Sequence, residues 1–269
     1  MIEQIAANAP VFLLVAVRCF ALLMTLPLFS MRSVSRIAKI ALAGYMAYIV
    51  MPQAHFSAYA AYITADGSFT LDYILILIGE AMIGIITGFY ITIIFSAFST
   101  AGQFFAFQMG FSASEVYDAL SQVENPLMGQ YLNLIAMLIF LQNQWFQRLF
   151  LGGLVASFRS INAFTIISGR GAVVHFMMAG LTDLFADALV IAIPLIGTLF
   201  LVSVCMGILS KAAPQMNLLS EGFPVMTLLS FFLITALMPV LCDYFMRSFN
   251  VGFSKLEELF VQLAGKGAL

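Results

Sequence analysis

The chain has 269 residues, 62% of them hydrophobic and only 9% charged, with a formal net charge of −2. Soluble domains carry about a quarter charged residues because their surface meets water, so this composition defines an integral membrane protein. A chain with no basic patch cannot neutralise phosphates, which argues against nucleic acid as a partner.

The opening, "MIEQIAANAP", lacks the basic start of a cleavable signal and reads as mature sequence. Apolar stretches long enough for membrane helices lie at about 10–30, 37–52, 73–99, 127–157, 177–210 and 217–247. Polar or turn-rich links join them: "SMRSVSR", "ADGSFTLD", "SASEVYDALSQVENP", "NAFTIISGRG" and "KAAPQMN". The pattern predicts one all-α, polytopic unit over residues 1–269, without a soluble domain or tandem repeat.

Two stretches depart from the ordinary span. Residues 127–157 contain "QNQWFQR", which leaves pieces of about 15 and 11 residues. At about 1.5 Å per residue, neither crosses a core of roughly 30 Å, so a hairpin is expected. The run from Asp72 to Gly110 is too long for one span, and Ser96, Ser99, Thr100 and Gly102 cluster near its end, where a break is expected. Broken helices at membrane depth persist only inside protein or against a water-filled cavity. Both stretches therefore point to packing within a larger assembly.

Arg32, Arg36 and Lys39 follow the first span, whereas the next link carries only Asp66 and Asp72. The positive-inside rule then puts the first link in the cytoplasm and the N-terminus outside. Reading 127–157 as a hairpin also brings Arg148, Arg159, Arg170 and the basic C-terminal tail inside, leaving Lys211 misplaced.

Glu80 lies in "GEAMIGIITGF", with Gly84 and Gly88 forming a GxxxG pair that lets another helix approach closely. A carboxylate at this depth needs a partner, and Arg18 in the first span is the candidate by residue type. Glu80 is either structural or part of a proton relay. Asp183 and Asp187 share a helical face; they either bind a cation or proton, or mark the wetter end of a span.

His55 and His175 stand outside any HExxH context, so no metal site is expected. Cys19, Cys205 and Cys242 have no paired spacing and read as small buried hydrophobes. "GFSAS" misses the nucleophile elbow by its final residue. No catalytic constellation emerges, and neither enzymatic activity nor a cofactor is expected.

The central segment reads "FFAFQMGFSASEVYDALSQVENPLMGQ". Phe104, Phe105, Phe107, Met109 and Phe111 lead straight into a polar insert carrying Glu115, Asp118 and Glu124. Methionine repacks around varied contacts, so these residues suit a deformable seal around a narrow channel. The competing reading is a plain aqueous loop.

Four stretches together resemble the FliR family of the flagellar type III export apparatus, called SctT or SpaR in virulence systems. They are "VRCFALLMTLPLFSMRSVSRIAKIALAG", "GEAMIGIITGF", "GQFFAFQMGFSAS" and "AAPQMNLLSEGFPV", in order over almost the whole chain. The last is similar to the family's signature through Pro214, Gln215, Asn217, Gly222 and Pro224. Departures are Ala106 for a glycine, Ser35 for a proline, Asp118-Ala119 for Asp-Pro, and "QNQWF" for a Gly-His tip.

The resemblance implies a non-enzymatic export-gate component of helical hairpins, FliP-like over about 1–175 and FliQ-like over about 176–269. It implies assembly with FliP-like, FliQ-like, FlhA-like and FlhB-like proteins in the inner membrane of the basal body, with unfolded flagellar proteins as cargo. It also implies a pore plug or gasket at Phe107, Gln108, Met109, Gly110, Phe111, Ser112, Glu115 and Asp118. The alternative is a secondary transporter coupled through Glu80, Asp183 and Asp187.

Overall fold

The computed structural model describes residues 9–30, 34–53, 59, 62, 70–110, 127–213 and 222–266. Within them the chain is all-α. The helices are α1 (Ala9–Thr25), α2 (Pro27–Ser30), α3 (Arg36–Val50), α4 (Leu71–Met109) and α5 (Leu127–Gln142). They continue with α6 (Trp145–Gln147), a π-helical turn (Arg148–Leu154), α7 (Val155–Ser160), α8 (Ala163–Ser168), α9 (Arg170–Ala212) and α10 (Phe223–Lys266).

Among the described residues, the six apolar stretches resolve into three helices long and apolar enough to cross a membrane, α4, α9 and α10, with α1 and α5 as shorter apolar helices. The first stretch does not run unbroken from 10 to 30. Pro27, which has no N–H to donate, opens a separate short helix. The break expected near Ser96 to Gly102 is absent: α4 is continuous for 39 residues. No proline interrupts it. Thr87 and Thr92 return their hydroxyls to the carbonyls of Ile83 and Gly88, each at 2.9 Å, so polar side chains inside the helix are satisfied without disrupting it. Gly110, at φ 82°, ends α4 in the left-handed conformation that suits a glycine cap.

The expected break at "QNQWF" is present: α5 stops at Gln142, Gln144 adopts φ 55°, and helix resumes at Trp145. The C-terminal segment is not a separate tail. It continues α10 to Lys266, because Phe253, Leu256, Phe260 and Leu263 are buried at helical spacing. Two local caps follow from sequence. Ser35 accepts the Ala38 N–H at 3.2 Å to start α3, and Asn162 and Thr165 form a capping box at the start of α8.

The chain divides into two compact units. One comprises Met1–Ile93, Leu141–Gly180 and Val251–Leu269; the other comprises Ile94–Phe140 and Leu181–Asn250. In the first, Leu14, Tyr59, Tyr73, Ile76 and Ala163 form a buried cluster. In the second, the core is aromatic. The Phe98 and Phe245 rings pack tilted with centroids 4.1 Å apart, and Phe95 meets Phe249 edge-on at 4.8 Å.

Candidate functional site

The glycines of α4 set the geometry of the first unit. A Cβ on Gly84 would fall on the Arg18 carbonyl and lie 2.9 Å from the Ala21 methyl. One on Gly88 would fall on the Thr25 hydroxyl and lie 2.9 Å from the Leu22 carbonyl. Only a bare backbone lets α1 come this close, so the helix received by the GxxxG pair is α1 itself. Thr92 reinforces the contact by donating to the Thr25 carbonyl at 2.7 Å.

That approach brings two ionisable side chains together inside the protein. Arg18 is 1% exposed and Glu80 fully buried, and Arg18 Nε lies 2.6 Å from Glu80 Oε2. The other guanidinium nitrogens donate to Ser157 Oγ at 3.0 Å and to the Ile161 carbonyl at 3.2 Å. The Phe158 ring lies under the guanidinium at 3.9 Å. Tyr59 donates to Glu80 Oε1 at 2.5 Å and accepts the Ala163 N–H at 2.6 Å. Burial, followed by the Glu80 carboxylate, holds the Tyr59 hydroxyl above its ordinary range, so it stays protonated and donates. A buried ion pair is tolerable when the remaining donors and acceptors are filled; here α1, α4, Tyr59, α7 and α8 fill them.

The residues of the sequence-predicted gasket separate. Met109 is 1% exposed, whereas Phe107 is 68% exposed. Gln108 donates to Ser203 Oγ at 3.2 Å, tying the end of α4 to α9, and Gly110 is the cap. Phe111, Ser112, Glu115 and Asp118 lie outside the described residues, as do Pro214, Gln215, Asn217 and His55. Gly222 is buried. Pro224 occupies the first turn of α10, where its missing N–H costs no helical hydrogen bond.

In the second unit, Asp187 accepts from Tyr244 at 2.8 Å and from Ser248 at 2.7 Å, joining α9 to α10 through neutral donors. Among the described residues, no group of three or more His, Cys, Asp or Glu could hold a metal. Tyr59, Ser157, Phe158, Tyr244 and Ser248 escaped the sequence reading. Hydroxyls and rings are common in such a chain, and nothing in their local sequence sets these apart.

This is an all-helical, multi-pass membrane protein whose buried charges hold helices together. The family described as bacterial export proteins, family 1, matches residues 9–251, and the chain belongs to it. It is similar to the flagellar biosynthetic protein FliR of Bacillus subtilis, at 30% identity over 93% of this chain and 94% of that protein. Similarity to FliR of Escherichia coli is 26%, over 91% of each. Similarity to the surface presentation of antigens protein SpaR of Shigella sonnei is 27%, over 66% of this chain and 64% of that one.

Proposed function

We propose that the chain is the FliR-type subunit of a flagellar type III export apparatus, a non-catalytic membrane component that helps form and plug the pore for unfolded flagellar proteins. The observation that carries this reading is full-length similarity: a FliR protein matches it over 93% of one chain and 94% of the other. The site chemistry agrees with a structural role, since Glu80 and Asp187 are both taken up by side chains of the protein itself.

On this reading the protein sits in the bacterial inner membrane at the flagellar basal body. Residues of about 1–175 serve as the FliP-like part and 176–269 as the FliQ-like hairpin. Its partners are FliP-like, FliQ-like, FlhA-like and FlhB-like proteins. The insert that follows Gln108, with Phe111 and the exposed Phe107 at its edge and Met109 anchoring it to the core, closes the pore when no cargo is present, because apolar constrictions exclude water and ions.

The test is a deletion strain complemented with full-length or loop-shortened protein, scored for motility, secreted flagellin and membrane leak. Full-length protein restores motility and secretion. Shortening between Ser112 and Asn125 leaves assembly intact but admits a small toxic solute. Failure of the full-length chain to restore secretion overturns the export role, and a tight, exporting short-loop variant overturns the plug.

A further inference from the structure

The first turn of α3 carries an electrostatic contradiction. A helix N-terminus holds a partial positive charge and favours acids. This one has no acid in its first turn and instead holds Arg36 and Lys39. Arg36 is exposed, whereas Lys39 is only 6% exposed and lies on the same buried stripe as Ala43, Ala47 and Val50. Among the described residues, neither cation pairs with a carboxylate. Among the described residues, two cations thus share the first turn with the positive end of the helix dipole, without a carboxylate paired to either.

The side-chain directions sharpen the point. In a helix each Cα–Cβ bond tilts toward the N-terminus, so the Lys39 stem runs back toward the start of α3. The Ser35 side chain already takes the Ala38 N–H. The N–H groups of Arg36 and Ile37 remain at the helix start without an intrahelical acceptor. A lysine with a buried stem reaches for the membrane interface with its ammonium.

The outward face of α3 is apolar beside this charge. Ile37 is 80% exposed and Ile40 60% exposed, and a methyl added at Gly44 would meet nothing within 4 Å. From Ile37 to Gly44 the helix rises about 10 Å. The result is a cationic head end continuous with an open apolar strip on a membrane protein. An anionic phospholipid has the complementary chemistry, with a phosphate for the cations and an acyl chain for the strip.

We propose that the N-terminal end of α3 is a binding site for one anionic phospholipid. Lys39, Arg36 and the N–H groups at the helix start hold its phosphate, and its chain lies along Ile37, Ile40 and Gly44. Lys39 gives the site its selectivity, because its stem is fixed by burial rather than free to wander.

The test uses full-length protein extracted from membranes in mild detergent with co-purifying subunits retained. It is titrated with phosphatidylglycerol or phosphatidylcholine and read by native mass spectrometry. Wild type is expected to retain phosphatidylglycerol in preference to phosphatidylcholine. Lys39→Gln weakens phosphatidylglycerol retention about fivefold, the size of one cation near an anionic headgroup, and Lys39→Arg restores most of it. Arg36→Gln, on an exposed side chain that packing does not need, weakens retention in the same direction and carries the test if Lys39→Gln fails to fold. Equal retention of the two lipids by wild type overturns the proposal. So does undiminished retention in Arg36→Gln together with any folded Lys39→Gln protein. Displacement of the lipid by millimolar inorganic phosphate shows a simple anion site and equally overturns it.

Discussion

Glu80 meets two donors at once, Arg18 Nε and the Tyr59 hydroxyl, and that fixes what its substitutions do. Glu80→Ala leaves a buried guanidinium uncompensated, a loss of about 3–5 kcal/mol for such pairs. Sequence alone ranks Glu80→Gln as milder if hydrogen bonding matters more than charge. The geometry predicts otherwise, because a glutamine amide has one oxygen for two donors and turns an N–H toward one of them. Glu80→Gln is therefore expected to fall close to Glu80→Ala. Tyr59→Phe costs about 1–3 kcal/mol by stranding the Ala163 N–H and one carboxylate oxygen. Unfolding midpoints of each variant, purified in detergent with its co-purifying subunits, check the order; a Glu80→Gln protein as stable as wild type defeats the charge argument. Arg18 and Glu80 were legible in the sequence because a charge inside an apolar run stands out. Ser157 was not, being 139 positions from Arg18 and indistinguishable from other serines until the fold brings it near.

Helix contacts belong to the next scale, and the glycines of α4 test them. A methyl at Gly84 or Gly88 meets backbone and a short side chain of α1, neither of which can swing aside. Gly84→Ala and Gly88→Ala are each expected to destabilise by about 1–3 kcal/mol, the range for overpacking. Gly197→Ala, whose methyl meets open space, should be neutral or slightly stabilising because alanine is the better helix former. Thermal unfolding of the three variants separates them, and equal midpoints would show that α1 does not need the glycine groove. The GxxxG spacing was visible in the sequence, but its occupant was not. Nor was the approach of Gly102 to Gly129, where an added Cβ on Gly102 lies 2.6 Å from the Gly129 Cα. Single glycines on two helices carry no spacing signal. The missed continuity of α4 has a different cause. Bilayer thickness limits how much helix is immersed, not where a helix must end, and hydrogen bonds continue wherever no residue stops them.

Across the whole molecule, the length of exposed apolar helix exceeds what lipid can cover. On α9 the exposed large apolar residues run from Val174 through Met178, Phe185, Ile193 and Phe200 to Leu209. That is about 53 Å of helix at 1.5 Å per residue, against a hydrocarbon core of roughly 30 Å. The most apolar windows of α9 and α10 are only 22% and 17% buried, compared with 44% for α4. Sequence pointed to an assembly because short apolar pieces could not span a bilayer. The structure reaches the same need from overlong helices, while the Gly84/Gly88 face is already taken by α1. Apolar surface that neither lipid nor this chain covers must meet other protein or aggregate. The chain expressed without other export-apparatus subunits should therefore be recovered in low yield as heterogeneous, aggregation-prone material. Co-expression with FliP-like and FliQ-like subunits should convert it to one large, detergent-resistant species. Substituting serine for Phe185, Ile193 and Phe200 tests the cause. Each is exposed on α9, so the chain's own core is untouched, and a protein freed of the apolar strip should aggregate less alone while joining the complex less well. Size-exclusion chromatography of the four preparations reads both effects, and a monodisperse wild-type monomer with a full complement of helix would defeat the argument.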